Sequence, residues 1–132
     1  MEGKYKNLVL QYAYLIDKKN FVGLHDILWE DFAMTGAFEL KGADNFIASL
    51  DQLNNFESTM HRVSNIQILD SNANLIYGSC YCIASHIGKN DQESYILDMG
   101  IIYKDIAEKR DGKIKLLERN LILPSLFSAI SL

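Results

Sequence analysis

The first twenty residues carry the clearest hydrophobic pattern in the chain. One broad apolar face at helical spacing predicts a helix over residues 8–20; its members are Tyr5, Leu8, Val9, Tyr12, Leu15 and Ile16. A second stripe follows the spacing i, i+3, i+4, i+7 and consists of Leu10, Ala13, Tyr14 and Asp17. A helix that is apolar on two sides is normally buried on two sides, so we expect Asp17 to lie partly inside the protein. A buried carboxylate needs a partner, and identifying that partner is the central question.

The rest of the chain reads as two short helices, one broken strand and four long strands. Helical spacing predicts helices over residues 21–29 and 42–53, and residues 32–40 read as a strand broken near Gly36. From Ser58 the period changes to two, which predicts strands over residues 58–69, 75–87, 95–107 and 113–123. The breaks between the long strands are short and turn-forming, so these strands should pair as successive antiparallel neighbours.

This order of elements predicts an α+β fold rather than a parallel βαβ fold. Strands this long in a small domain should coil strongly, so we expect a cone-shaped, curved sheet with the first helix in its concave side. At 132 residues the chain fits a single domain with a core over about residues 5–123. The apolar tail, residues 124–132 with Pro124 and Phe127, is expected either to cover the pocket or to pack on a neighbouring subunit.

Composition narrows the classes of partner. A hydrophobic fraction of 48% and a charged fraction of 23% are those of an ordinary soluble protein. The net charge of −4, without a dense Lys/Arg cluster, argues against nucleic acid or an anionic membrane as the main partner. The N-terminus lacks the apolar core of a signal peptide, and residues 121–132 fall short of the roughly 20 that span a bilayer. A cytoplasmic location is therefore the default expectation.

Two polar residues lie among apolar neighbours on the predicted strands. His61 shares a strand face with Val63, so its side chain should point inward. Arg119 alternates with leucines, and it needs a carboxylate, a carbonyl or a bound anion unless only its stem is buried. A curved sheet wrapped on the first helix could bring Asp17, His61 and Arg119 into one cavity. Asp beside His fixes the imidazole tautomer and raises its basicity, while Arg favours developing negative charge.

Several of these residues also form a pattern that resembles the SnoaL-like superfamily. The matching motifs are Tyr-Ala-x-x-x-Asp at residues 12–17, Asn20-Phe21, Leu28-x-x-Asp31, Thr59-x-His61-x-x-x-Asn65, Tyr103-x-Asp105, Asp111-Gly112 and the terminal Arg119. The resemblance covers about residues 5–123 and implies the nuclear transport factor 2-like fold. The chain departs from the usual Gly-x-Tyr-x-Asp motif at Ile101, and Ile114 stands where Trp commonly follows the last turn. Neither departure touches Asp17 or His61.

The resemblance further implies site residues, partners and an assembly. In the branch of scytalone dehydratase and bile acid 7α-dehydratase, an Asp–His dyad abstracts a proton, and Asp17 and His61 match its positions. Tyr12 and Arg119 match a tyrosine and an arginine that line the site in that branch. Five residues turn an ideal helix by roughly 140°, so Tyr12 and Asp17 would share a face only if the helix end bends. The family also implies a homodimer through the outer sheet face, with a trimer as the alternative.

Two hypotheses about function follow. The first is a cofactor-independent lyase or isomerase acting on a small, mostly apolar carbonyl or ring metabolite. The second is a non-catalytic module of the same fold that binds a ligand or serves as a subunit in an oligomer. A cavity filled by side chains, or an outward-facing His61, would favour the module. No residue spacing indicates a metal site, and no cofactor is expected.

The cysteines, the methionines and the remaining histidines are expected to be structural residues. Cys80 and Cys82 lie two apart on a strand and should be reduced and packed, since that spacing suits neither a mutual disulfide nor a structural zinc site. Four residues are expected in the core: Tyr14, Met34, Met60 and Met99. His25 and His86 are expected at the surface or at strand ends. Asp98 alternates with Ile96 and Gly100, so it could face the cavity.

Overall fold

The computed structural model describes the backbone of residues 2–131 and the side chains of residues 3–124. Within residues 2–131, two α-helices and six strands form in the order α1 (Glu2–Asp17), β1 (Leu28–Gly36), β2 (Leu40–Lys41), α2 (Ala43–Ser49), β3 (Ser58–Ser71), β4 (Leu75–Asn90), β5 (Glu93–Arg110) and β6 (Lys113–Ser131). Two 3₁₀ helices, Val22–Asp26 and Leu50–Asn55, precede β1 and follow α2. Among the described residues, neither α-helix has the length and apolar character that a membrane-spanning segment needs.

The strands form one mixed sheet in the order β2-β1-β6-β5-β4-β3. Strands β3 to β6 pair as successive antiparallel neighbours, as the short turns predicted, whereas β1 pairs with β6 in parallel. The sheet is open, with β2 and β3 at its edges. The predicted α+β fold with helices packed on a mixed sheet is confirmed.

Helix α1 packs against β3 and buries its broad apolar face. Tyr5, Val9 and Ile16 are almost completely buried in the core. The second stripe is not a buried face, because Leu10 and Tyr14 are 41% and 61% exposed. The prediction that Tyr14 belongs to the core is therefore wrong.

The short elements differ most from the sequence prediction. The predicted helix over residues 21–29 is only a 3₁₀ helix that ends at Asp26, and β1 already begins at Leu28. The predicted helix over residues 42–53 divides into α2 and the 3₁₀ helix Leu50–Asn55. The backbone of the apolar tail continues β6 as far as Ser131 and pairs with β5, so it is strand rather than a separate segment. The side chain of Phe127 and the residue Leu132 lie outside the described part of the chain.

Candidate active site

A cavity of about 450 Å³ lies between the helices and the inner face of the sheet. Aromatic and aliphatic side chains from α1, α2 and every strand except β3 line most of it, and β3 contributes His61. None of the described residues that line it is Asp, Glu, Lys or Arg. The cavity is therefore a largely apolar chamber whose polar groups are histidines, tyrosines and a few uncharged residues near the 3₁₀ helix Leu50–Asn55.

Asp17, at the end of α1, receives three hydrogen bonds from the start of β3. The Thr59 hydroxyl donates to Oδ1 at 2.9 Å, the His61 amide donates to Oδ2 at 2.9 Å, and His61 Nδ1 lies 2.7 Å from Oδ1. Because β3 is an edge strand, its amide on the open side is free to bind a side chain. Burial alone would raise the pKa of Asp17, but the hydrogen bonds from His61 and Thr59 lower it below its usual value. Asp17 is thus a carboxylate at neutral pH.

This contact defines the state of the His61 ring. A carboxylate on Nδ1 assigns the ring proton to that nitrogen and leaves Nε2 free to accept a proton. The His61 side chain is 8% exposed and lines the cavity, whereas Asp17 does not line it. The expected partner of Asp17 is therefore found, with the acid behind the imidazole and the imidazole facing the chamber.

A second histidine, predicted to lie at the surface or at a strand end, also lines the cavity. His86 is 8% exposed, and its ring centre lies 6.4 Å from that of His61. Burial lowers its pKa, and Nδ1 lies 3.3 Å from the Leu97 carbonyl oxygen, so a neutral ring donates there. The prediction for His86 is wrong because β4 extends three residues beyond Ile87. Its alternation with Cys82 and Ala84 was the available signal.

Two tyrosines form another polar wall of the cavity. Tyr12 and Tyr103 both line it, are 3% and 4% exposed, and meet edge to face with ring centres 6.1 Å apart. Burial raises the pKa of Tyr12 to about 12, although the nearby Arg119 lowers it in part, so the hydroxyl is protonated at neutral pH. Tyr12 lines the cavity itself, whereas Asp17 contacts His61 from outside the cavity lining. The two residues therefore need not lie on the same face of α1.

Arg119 lies outside the cavity lining, and the prediction that it shares one cavity with Asp17 and His61 is wrong. Its side chain is 1% exposed, and its guanidinium donates to Asp105 from Nε at 2.8 Å and from Nη2 at 3.1 Å. Of the three partners predicted for a buried Arg119, a carboxylate, a carbonyl or a bound anion, the structure shows a carboxylate, that of Asp105. The guanidinium carbon lies 3.6 Å from the ring centre of Tyr103 and 4.3 Å from that of Tyr12. Arg119 is thus behind the tyrosine wall.

The remaining candidates occupy structural positions. Cys80 and Cys82 are free, as predicted, and burial raises the pKa of their thiols to about 11 and about 12. Asp98 accepts a hydrogen bond from Ser85 on the opposite side of β4 from His86, so it does not face the cavity. Met34 is buried and Met99 is partly buried, but Met60 is 54% exposed, which overturns its predicted place in the core. Among the side chains of residues 3–124, no group of three or more His, Cys, Asp or Glu converges as a metal site would require.

Comparison with known proteins identifies the family. The protein-family model of the SnoaL-like domain matches residues 3–120 of this chain. The chain belongs to the SnoaL-like family. A search of curated sequences finds no significant match to this SnoaL-like domain.

Solved structures share its fold at low sequence identity. A proposed scytalone dehydratase from Novosphingobium aromaticivorans DSM 12444 is 22% identical, with a TM-score of 0.79 over 96% of this chain and 84% of that one. Hexachlorocyclohexane dehydrochlorinase LinA-type3 from Novosphingobium barchaimii LL02 is 17% identical, with a TM-score of 0.81 over 97% and 88%. An uncharacterised protein with a cystatin-like fold from Caulobacter vibrioides is 10% identical, with a TM-score of 0.78 over 93% and 89%.

Proposed function

We propose that this SnoaL-like domain is a cofactor-independent lyase or isomerase that abstracts a proton from carbon in a small, uncharged ring or carbonyl compound. The observation that carries the proposal is the hydrogen bond between Asp17 and His61 at the wall of an apolar cavity. His61 Nε2 would take the proton, and Asp17 would hold the ring and stabilise the imidazolium that forms. Tyr12 would donate a hydrogen bond to the carbonyl or departing oxygen of the substrate.

His86 adds a second imidazole to this mechanism. Because its ring is neutral and its Nδ1–H donates to the Leu97 carbonyl, its Nε2 can accept a hydrogen bond from a substrate hydroxyl without opposing the charge that develops on the nearby His61. Arg119 cannot act as a direct partner of a substrate carboxylate, because Asp105 already binds its guanidinium. Arg119 can stabilise negative charge on a substrate only indirectly, through Tyr12 and Tyr103, whose rings lie between its guanidinium and the cavity.

The cavity also supports the proposed class of substrate. A carboxylate or phosphate buried there would meet no cation among the described lining residues, and an unpaired buried charge is costly. Phe46 and Phe56 offer aromatic surface for a ring. The names of the solved neighbours, which refer to scytalone and hexachlorocyclohexane, supply the first two compounds to test.

The test replaces His61 by Ala and measures three reactions. These are chloride release from hexachlorocyclohexane, loss of water from scytalone, and deuterium exchange next to the carbonyl of a neutral cyclic ketone. Since a general base contributes at least about 100-fold, the variant should lose that factor in every reaction that the wild type catalyses. His25→Ala is the control, because His25 is an exposed histidine outside the cavity. An unchanged rate in His61→Ala would end the assignment of His61 as the base.

The alternative function, a non-catalytic binding module, fits less well. A cavity filled by side chains, or an outward His61, would have favoured it. The open chamber and the position of His61 in its wall favour the enzyme.

We also propose that the protein is a homodimer through the outer face of β3 and β4. The face of β4 opposite His86 exposes large apolar side chains, and Met60 on β3 adds to it; the β4 members are Tyr77, Tyr81 and Ile83, each at least 36% exposed. Large apolar side chains exposed on the same face of a sheet are typical of an association site.

A further inference from the structure

Behind the cavity lies a buried polar network that proton abstraction by His61 does not use. The Tyr5 hydroxyl donates to Asp105 Oδ2 at 2.6 Å, and Arg119 donates to both oxygens of that carboxylate. Arg119 Nη2 also lies 3.3 Å from Cys80 Sγ. Tyr5, Asp105 and Arg119 are each at most 2% exposed. The network thus holds a complete ion pair away from water.

Stability alone does not explain this network. Replacing a buried ion pair by apolar residues of similar volume is often neutral or stabilising, because desolvation of both charges offsets their attraction. The fold nevertheless makes room for the network: a Cβ at Gly78 would lie 2.4 Å from the Tyr5 ring. A function that depends on the position of the charge is a better explanation.

The position of the charge is specific. The guanidinium lies over the rings of both tyrosines that form the cavity wall, and Asp105 binds its Nε and Nη2. A cation at the face of a phenol ring favours negative charge on that phenol, so the hydroxyl becomes a stronger hydrogen-bond donor. Asp105 opposes this effect, but for Tyr12 the influence of Arg119 is the larger of the two.

We propose that Arg119 is a positioning residue that acts through Tyr12 and Tyr103, strengthening their hydrogen bonds to a substrate oxygen that becomes negative in the cavity. The inference deepens the proposed function, because it assigns the stabilisation of negative charge to the two hydroxyls and the origin of their acidity to Arg119. The other titratable groups facing the two rings are the thiols of Cys80 and Cys82, which burial keeps protonated at neutral pH.

The experiment uses the double variant Asp105→Asn/Arg119→Gln, which removes both charges and leaves a neutral polar amide side chain at each of the two positions. Protein labelled with difluorotyrosine, whose phenol ionises at lower pH than that of tyrosine, is titrated by ¹⁹F NMR without any ligand. The signals are assigned with Tyr12→Phe and Tyr103→Phe. Ionisation of the two tyrosines should move to higher pH by up to about one unit in the double variant, the usual strength of a cation–π contact, because the loss of Asp105 offsets part of the loss of Arg119.

A matched control is available elsewhere in the chain. Arg110 also binds an aspartate through two hydrogen bonds, to Asp31, and stacks on an aromatic ring, that of Trp29 at 4.8 Å, but it lies outside the cavity. Asp31→Asn/Arg110→Gln should leave the titration of Tyr12 and Tyr103 unchanged. If the first double variant does not fold, Tyr5→Phe/Asp105→Leu/Arg119→Met removes every charge of the network together with the hydroxyl that depends on it. The same upward shift is expected there.

Kinetics with any neutral cyclic ketone that the wild type exchanges provide the second readout. The charge-removed variant should lose about tenfold in kcat with a smaller change in KM, because the affected hydrogen bonds strengthen in the transition state. A folded variant with unchanged tyrosine titration overturns the inference, even if its kcat falls, since the role would then be structural. A wild type without activity would instead refute the proposed function, and the titration would still decide the role of Arg119.

Discussion

Asp17 is the residue whose ionisation ties the candidate site to the stability of the fold. Its pKa is lower in the folded protein than its ordinary value of 3.8, so the carboxylate stabilises the fold at pH values above that ordinary value. This contribution is lost as the pH falls through the folded-state pKa. We predict that urea unfolding from neutral pH to about pH 3 will show a smaller loss of stability in Asp17→Asn than in the wild type.

The control for this prediction is Asp26→Asn, since Asp26 is an exposed residue at the end of a 3₁₀ helix. That variant should follow the wild type through the acid range. Parallel pH profiles for Asp17→Asn and the wild type would show that Asp17 does not gain its hydrogen bonds on folding.

Single residues also show where the sequence was informative. The pairing of Asp17 with His61 was predictable, because a carboxylate at the end of an apolar helix needs a partner and His61 was an inward-facing candidate. The second apolar stripe of α1 predicted burial only in part, because Ala13 is buried but Tyr14 is exposed. His86 was missed because the predicted β4 ended one residue after it, which made a buried histidine look like a strand end.

At the scale of elements, the register of one hairpin decides the position of Arg119. The turn pairs Arg110 with Lys113, and an uninterrupted ladder from there would place Asp105 opposite Glu118. A bulge between Ile106 and Ala107 shifts the register by one residue, so Asp105 faces Arg119 instead. A shift of one residue moves side chains to the other face of a strand. The ion pair could therefore not be derived from the alternation pattern.

The contact between β4 and α1 leads to a stability prediction. Gly78 lies opposite Asp105, and the Tyr5 ring occupies the space where a side chain at position 78 would project. Because Tyr5 is fully buried, its ring cannot move aside easily. We predict that Gly78→Ala lowers the free energy of unfolding by about 1–3 kcal/mol, the usual effect of overpacking, as measured by urea denaturation.

Gly3→Ala is the matched control for this prediction. Gly3 lies in α1, and a Cβ there would meet nothing within 4 Å. Alanine is favoured over glycine in a helix, so this variant should be as stable as the wild type or slightly more stable. Equal stability of Gly78→Ala and the wild type would mean that Tyr5 can repack at little cost.

For the whole molecule, hydrophobic periodicity was sufficient to predict the fold class and the order of the long strands, but not the pairing of β1 or the length of β6. The change from helical spacing to a period of two at Ser58 separated the helical part from the four long strands, and the short turns set their antiparallel order. The parallel pairing of β1 with β6 joins residues about 85 positions apart in the sequence, a contact that no local pattern indicates. For the same reason the extension of β6 to Ser131 depends on its partner β5 rather than on its own composition.

At the scale of the whole molecule, the proposed homodimer can be tested through the outer face of the sheet, where we place its interface. Tyr81 and Ile83 lie on this face of β4 and are 49% and 38% exposed, so lysines there would be solvated in a monomer but buried without partners in an interface. We predict that the wild type sediments as a dimer and that Tyr81→Lys/Ile83→Lys sediments as a monomer with an unchanged circular dichroism spectrum. Val22→Lys, at a 76% exposed residue of the first 3₁₀ helix, should remain dimeric. A monomeric wild type, or a trimer, would contradict the proposal, as would a double variant that keeps the dimer mass.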